Sequence, residues 1–443
     1  MSAEPIVIIG AGWAGLAAAV KLIQHGHKVT VFESAKQSGG RARTVSFNDM
    51  DVDNGQHLLI GAYTECLNLM KTVGVNTETA LKRLPLLLTV IDKSNTKLIL
   101  KSPSLPAPLH LLYALVTAKG LKVKDKFAAI NFGLYLKKKN YKFKEDITVK
   151  ELFILTKQTS ILIRQLWEPL CLATMNTSIE TASANVFMRV FKDAFTNKTK
   201  DSDSLLPTTD LSHLFPNAAI DYIEKHGGNV YLKSRVENIE IKNDTVTSVV
   251  AKIDNNPQVI NTSQVIIATA PQNLKKLLTK HSTLNTTYNR IEQLNYEPIV
   301  TVYLQYPKDV KIDLAMTGLS STLSQWVFDR GAFCGQAGLI SIVISAKGDH
   351  MSMDDDTLTQ NVHNEISVLF NSKPVLEKSF VIREKRATFS CVKNINEIRP
   401  KNTTNVSGLF LAGDYTDTGY PATLEGAVRS GITASNLIID KRQ

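Results

Sequence analysis

Ile6-Val7-Ile8-Ile9-Gly10-Ala11-Gly12-Trp13-Ala14-Gly15, followed by a second apolar run, Lys28 to Glu33, is the stretch whose reading decides the fold. Four consecutive aliphatic residues suit a strand buried on both faces, and the Ala14 to His25 stretch carries helical periodicity, so the opening predicts a βαβ unit. Gly10 permits the tight turn after the strand, Gly12 lets the backbone approach a pyrophosphate, and Gly15 allows close helix-to-strand packing. Trp13 and Ala14 are expected cofactor contacts at the start of this helix, whose unpaired N–H groups favour an anion. Glu33, ending the second strand, is placed to accept hydrogen bonds from ribose hydroxyls. NAD and FAD share this adenosine half, so the fingerprint leaves both open.

Ser38-Gly39-Gly40-Arg41-Ala42-Arg43 comes next and resembles the Gly-Gly-Arg motif of the flavin amine oxidase and phytoene desaturase superfamily. The glycines let the chain pass close to a dinucleotide, and Arg41 and Arg43 bring guanidinium charge to the phosphate and flavin side. Near the other end of the chain, Leu409 to Ala412 reads as a strand running into Gly413 and Asp414, where ligands of open α/β sheets sit. Asp414 is expected at the ribityl or pyrophosphate region. The helix that follows, from about Thr423, turns its N-terminal dipole toward the flavin, with Thr423, Leu424 and Ala427 as contact positions. Leu424, Ala427, Val428, Leu437 and Ile438 make its packing face.

The expected fold is therefore α/β, a Rossmann-like FAD-binding domain of the glutathione-reductase-like type with an inserted α+β substrate domain. Further strand signals at Asn229 to Val236, Val246 to Ile253 and Val265 to Thr269 are bounded by turn residues. From about Leu86 the pattern changes to long, lysine-rich, mostly helical segments. The expected division assigns residues 1–85, 220–285 and 390–443 to cofactor binding, and 86–219 and 286–389 to substrate binding and membrane contact.

Composition sets the outer bounds. With 443 residues, 43% hydrophobic and 21% charged, the chain can bury enough surface to offset its ordering entropy, which excludes disorder and collagen. Cys66, Cys171, Cys334 and Cys391 are scattered without metal-ligand spacing, so no metal is expected and a reducing cytoplasm fits. The apolar stretch from Ile6 to Val20 is interrupted by glycines and preceded by Glu4, so it reads as strand and helix rather than a signal peptide. The formal net charge of +10 favours an acidic partner, and nine lysines crowd between Lys119 and Lys144. Just before them, Leu109 to Ala118 is too short to cross a bilayer. Leu109, Leu111, Leu112, Leu115 and Val116 are expected to form one apolar surface lying in an anionic membrane interface. The lysines lack the aromatic interleaving of a nucleic-acid module, so no nucleic acid is expected.

Other stretches are similar to one branch, the hydroxysqualene dehydroxylases, also described as squalene-associated FAD-dependent desaturases of bacterial hopanoid synthesis. They are Asp53 to Tyr63 with Gly55, Gln56 and His57, Trp167 to Asn176, Leu206 to Pro216, Glu384 to Phe389, and Gly413 to Gly431. This resemblance implies that FAD reduces hydroxysqualene, a hydrophobic C30 isoprenoid, to squalene. It also implies cofactor contacts at Gly55, Gln56, His57 and Val236. Removing a hydroxyl needs an acid, and His57 is the expected one because it titrates in the useful range. Glu168 and Asp210 are weaker candidates that also read as helix caps, and Cys171 reads as a small buried hydrophobe. Carotenoid-type desaturation is the nearest rival, a flavin amine oxidase is third, and a non-enzymatic flavin or lipid carrier is a different class. Amine oxidases of the superfamily commonly carry an aromatic residue where this chain has Thr423. No second Gly-x-Gly-x-x-Gly follows a strand, so the electron donor is expected to be external. The expected location is the cytoplasmic side of the inner membrane, peripherally attached.

Overall fold

The structure, a computed structural model, describes residues 4–47 and 50–440. Ile6–Ile9 is buried at every position: Ile6 and Ile8 pack with the helix residues Leu16, Val20 and Ile438, whereas Val7 and Ile9 fall in one core with Val236, Ile239, Val246 and Val249. The strand lies at the centre of a five-stranded sheet ordered Asn229–Tyr231, Val29–Phe32, Ile6–Ile9, Val265–Ile267, Leu409–Leu411. Every pairing is parallel, with Ile8 opposite Val31 on one side and Ile266 on the other. The carboxyl ends of all these strands open on one edge, so Gly10, Glu33, Ala268 and Gly413 come together from distant parts of the chain.

The helix Trp13–Gln24 covers this sheet beside the last helix, Leu424–Ile439. Their backbones run so close that a Cβ on Gly431 would lie 2.1 Å from the Ala14 carbonyl oxygen. The Ser435 hydroxyl donates to the Ala18 carbonyl at 3.1 Å across the same contact.

Two expectations about strands are corrected. The run from Asn229 to Val236 is two strands, because Lys233 takes a left-handed conformation and the Ser234 N–H donates to the Glu33 carbonyl, which turns the chain out of the parallel sheet. The second strand, Arg235–Lys242, starts an antiparallel meander with Thr245–Ile253 and Asn256–Asn261. Asn243 with Asp244, and Asp254 with Asn255, all have positive φ and form its two-residue hairpin turns. Residues after Leu86 do not begin a helical region. Leu87–Asp92 and Lys97–Lys101 are a hairpin, and the alternation in Lys97-Leu98-Ile99-Leu100-Lys101 buries Leu98 and Leu100 while both lysines face out.

That hairpin is the edge of a seven-stranded sheet completed by Met316–Ser320, Trp326–Asp329, Leu339–Ser345, Tyr296–Gln305 and Lys378–Phe389. Strand period separates its faces. Ile340, Ile342 and Ile344 pack with Val300, Val302 and Leu304 beneath the helix Asp355–Ile366, whose Leu358, Val362 and Ile366 fill that layer. Val343 and Ser345 point to the opposite side, toward the parallel sheet and a large cavity.

Helices from Leu109 to Phe195 close the cavity. Phe132, Phe153, Trp167, Phe187 and Phe191 form one aromatic cluster at their centre, with Phe132 and Trp167 ring centroids 4.8 Å apart. The proposed surface group on Leu109–Thr117 is split by the structure. Leu115 is buried against Leu98, Leu100 and Ala118, because this helix rests one side on the Lys97–Lys101 strand. Leu109, Leu112 and Val116 are 53, 42 and 51% exposed. Among the described residues no helix is long and apolar enough to cross a membrane.

Candidate active site

A cavity of about 1250 Å³ begins at the carboxyl edge of the parallel sheet and runs between the seven-stranded sheet and the helices. Of the positions singled out in the sequence, Gly10, Gly12, Trp13, Ala14, Glu33, Gly40, Arg41, Gly55, Gln56, His57, Val236, Gly413, Asp414, Thr423, Leu424 and Ala427 line it. Gly15 and Arg43 do not. Gly15 lies behind the wall, where a Cβ would meet the Gly10 carbonyl oxygen at 1.9 Å, so its place is in packing. Arg43 donates to the Gly40 carbonyl, on the second glycine loop.

The glycine loops form a cradle of bare backbone. Gly10 has φ +109°, and a Cβ there would lie 2.8 Å from the Ala268 carbonyl oxygen. Gly39 N–H donates to Ala11 O at 2.8 Å, and a Cβ on Gly40 would come within 3.4 Å of the Gly12 Cα. No side chain caps the helix at Gly12, and its first turn holds no acidic residue, so its N–H groups remain available to an anion. Glu33 is pinned beside them, one carboxylate oxygen accepting Ala11 N–H and the other Ala35 N–H, each at 2.8 Å. These features fit a dinucleotide whose pyrophosphate lies on the loop.

Arg41 and Asp414 form an ion pair at 2.6 Å, and Arg41 also donates to the Ala387 carbonyl. Burial opposes the charge on Arg41, but Asp414, with Glu384 beyond it, outweighs burial and keeps the guanidinium charged. Thr423 is the N-cap of the last helix, its hydroxyl accepting Gly426 N–H at 3.1 Å.

His57 Nδ1 lies 2.9 Å from the Gly55 carbonyl oxygen. A carbonyl can only accept, so Nδ1 carries the proton. Burial pushes the His57 pKa below the ordinary histidine value, partly countered by the Gly55 bond and Asp53 and reinforced by Arg41. The imidazole is thus neutral at pH 7 and offers Nε2 as an acceptor, whereas an acid must carry the proton it delivers. Asp210 is the N-cap of Leu211–Leu214 and accepts Ser212 and His213 N–H groups; Glu168 lies in the first turn of Glu168–Met175. Neither lines the cavity. Cys171 is fully buried in the core.

Two features of the site carry no local sequence signal. Arg399 is buried beneath the Asp414 to Tyr420 loop, donating to the carbonyls of Asp414 at 2.8 Å and Tyr420 at 2.7 Å and to the Thr418 hydroxyl at 2.9 Å. Its guanidinium also stacks 4.7 Å from the Phe389 ring centroid. Tyr420, on the cavity wall, is held between the guanidinium groups of Arg189 and Arg429 at 4.8 and 4.9 Å and donates its hydroxyl proton to Asp193.

Comparison with known proteins places this geometry. The profile of the family described as flavin containing amine oxidoreductase matches residues 13–439. The chain is 26% identical to the hydroxysqualene dehydroxylase of Zymomonas mobilis, over 98% of each chain. It is 25% identical to the chloroplastic/chromoplastic zeta-carotene desaturase of Arabidopsis thaliana, over 98% of this chain and 85% of that protein. Among solved structures, an oxidoreductase from Methanosarcina mazei superposes with a TM-score of 0.73 at 15% identity, covering 97% of this chain and 99% of that one. Cyclohexylamine oxidase from Brevibacterium oxydans superposes with a TM-score of 0.67 at 15% identity over 99% of each chain.

Proposed function

The chain belongs to the flavin-containing amine oxidoreductase family and is an FAD-dependent oxidoreductase, and from that premise we propose that it reduces hydroxysqualene to squalene. The cavity carries this reading. Its fingerprint end is polar, whereas Leu166, Trp167, Phe187 and Phe191 wall the remainder, which reaches Leu109, Leu112 and Leu134 on the outer helices. A long apolar isoprenoid matches that lining. A hydroxysqualene dehydroxylase and carotenoid desaturases are both among the relatives, so desaturation of a polyene is the second reading.

Replacing an allylic hydroxyl by hydrogen consumes one hydride and one proton and releases water. Reduced FAD, when bound, supplies the hydride. The bare loops at Gly10 to Gly12 and Gly39 to Gly40, with the helix N-terminus, hold the dinucleotide. Nε2 of His57 accepts the hydrogen bond of the substrate hydroxyl and so orients it. The Tyr420 hydroxyl, hydrogen-bonded to Asp193 on the cavity wall, has its pKa raised by burial and by that bond, so it keeps its proton, and the one the reaction consumes is drawn from solvent. Apolar walls keep water from capturing an allylic cation. The electron donor is an external carrier or reductase.

The substrate reaches the cavity from a membrane. Leu109, Leu112 and Val116 face outward, and Val123, Phe127 and Leu134 on the helix Val123–Lys138 are more than 60% exposed. Lysines 119, 122, 124 and 126 adjoin them, so an anionic interface on the cytoplasmic side suits this surface. Anaerobic conversion of hydroxysqualene by the reduced enzyme, read by lipid chromatography, tests the reaction.

A further inference from the structure

Arg330 follows the strand Trp326–Asp329 and is 3% exposed. Its guanidinium reaches the segment that carries His57. Nη1 donates to Gln56 Oε1 at 2.7 Å, both terminal nitrogens lie 3.4 Å from Asp53 Oδ2, and Nε donates to Gln336 Oε1 at 2.5 Å. The ion pair with Asp53 is long, and the bond to Gln56, a neutral amide, is short.

That bond has a directional consequence. A guanidinium only donates, so it dictates which end of the Gln56 amide faces it. Oε1 takes that position and also accepts the Ser341 hydroxyl at 3.1 Å. Nε2 is left to donate to the His57 carbonyl at 3.1 Å. The next link is the His57 Nδ1–H bond to the Gly55 carbonyl, across a glycine whose φ of +133° other residues rarely adopt. The Tyr303 hydroxyl ties down the start of the turn by donating to the Asp53 carbonyl at 2.8 Å.

We propose that Arg330 is a positioning residue for His57: by orienting Gln56 it fixes the Gly55 to His57 turn and holds the imidazole as its Nδ1–H tautomer, with Nε2 as the acceptor on the cavity side. Arg330 itself does not line the cavity, so it acts only through this relay. The inference concerns the state of His57 and stands whichever substrate the enzyme takes.

The test is nitrogen NMR of the full-length, FAD-loaded protein labelled with ¹⁵N-histidine, the His57 signals being assigned by their loss in His57→Gln. Wild type is expected to show one protonated ring nitrogen, Nδ1, and an unprotonated Nε2. Gln56→Met removes the relay while leaving the Arg330–Asp53 pair in place, and Arg330→Met removes its source. In each the single Nδ1–H pattern is expected to be lost to a mixture containing the Nε2–H form. Arg330→Met leaves Asp53 without its buried partner, so if that variant does not fold the Gln56→Met spectrum decides. An unchanged His57 pattern in folded, FAD-loaded Gln56→Met, or a wild type already in the Nε2–H form, would overturn the proposal. Since no substrate is present, these outcomes are independent of the turnover assay.

Discussion

Arg41 and Asp414, 373 positions apart in sequence, meet at 2.6 Å on the wall of the cavity and join the second glycine loop to the last strand of the parallel sheet. Asp414 is 7% exposed, so its charge is balanced chiefly by this one guanidinium. Asp414→Asn keeps the shape and removes the charge-assisted bond, a loss of roughly 1.5 to 3 kcal/mol. FAD affinity, read by fluorescence titration of the apoprotein, is expected to fall about tenfold to a hundredfold. Unchanged affinity would detach the pair from cofactor binding.

The pH dependence follows from the state of His57. Burial lowers its pKa, Arg41 lowers it further, and Asp53 and the Gly55 bond act in the opposite sense. An acceptor must be neutral, so the single-turnover rate is expected to rise as pH increases through a value below the ordinary histidine pKa and to stay level through neutrality. An acid would give the opposite slope. His57→Ala is expected to slow the step by roughly tenfold to a hundredfold with FAD still bound, the loss of one buried hydrogen bond.

Arg399 supports the loop behind Asp414 from below. Burial lowers its pKa, and its partners are the carbonyls of Asp414, Tyr415 and Tyr420 with the side chains of Asn396 and Thr418. Arg399→Met strands those buried acceptors and is expected to cost on the order of 3 kcal/mol, measured by urea unfolding of the FAD-loaded protein. A change within about 0.5 kcal/mol would mean that the loop holds itself.

Membrane attachment is tested on the side chains that the structure leaves outside. Leu109→Asp with Leu112→Asp is expected to reduce pelleting with anionic liposomes while FAD content stays full. Substituting Leu115 would instead damage the core. Salt should release the wild type only in part, because it screens the lysines and leaves the apolar contact. Equal pelleting of the folded double variant would place the anchor elsewhere.

The parallel sheet was legible because its signals are local: an aliphatic run, a glycine turn and an acid at the next strand end lie within one stretch from Ile6 to Glu33. The hairpin from Leu87 to Lys101 carried an equally local signal, the alternation around Leu98, but the lysines around it suggested solvated helices. Leu115 was misplaced because a short helix that is apolar nearly all round does not reveal which side meets a neighbouring strand. Arg330 and Arg399 could not be read at all. Each acts through partners distant in sequence or through backbone carbonyls, and carbonyls have no sequence identity.

The reaction itself is tested most directly by one anaerobic turnover, in which the purified enzyme with chemically reduced FAD is mixed with hydroxysqualene and the lipids are extracted and chromatographed. Squalene formed in step with flavin reoxidation is the predicted result. Unreacted hydroxysqualene beside flavin that stays reduced would contradict it, as would oxidised enzyme that turns a polyene into a more unsaturated product while leaving hydroxysqualene untouched.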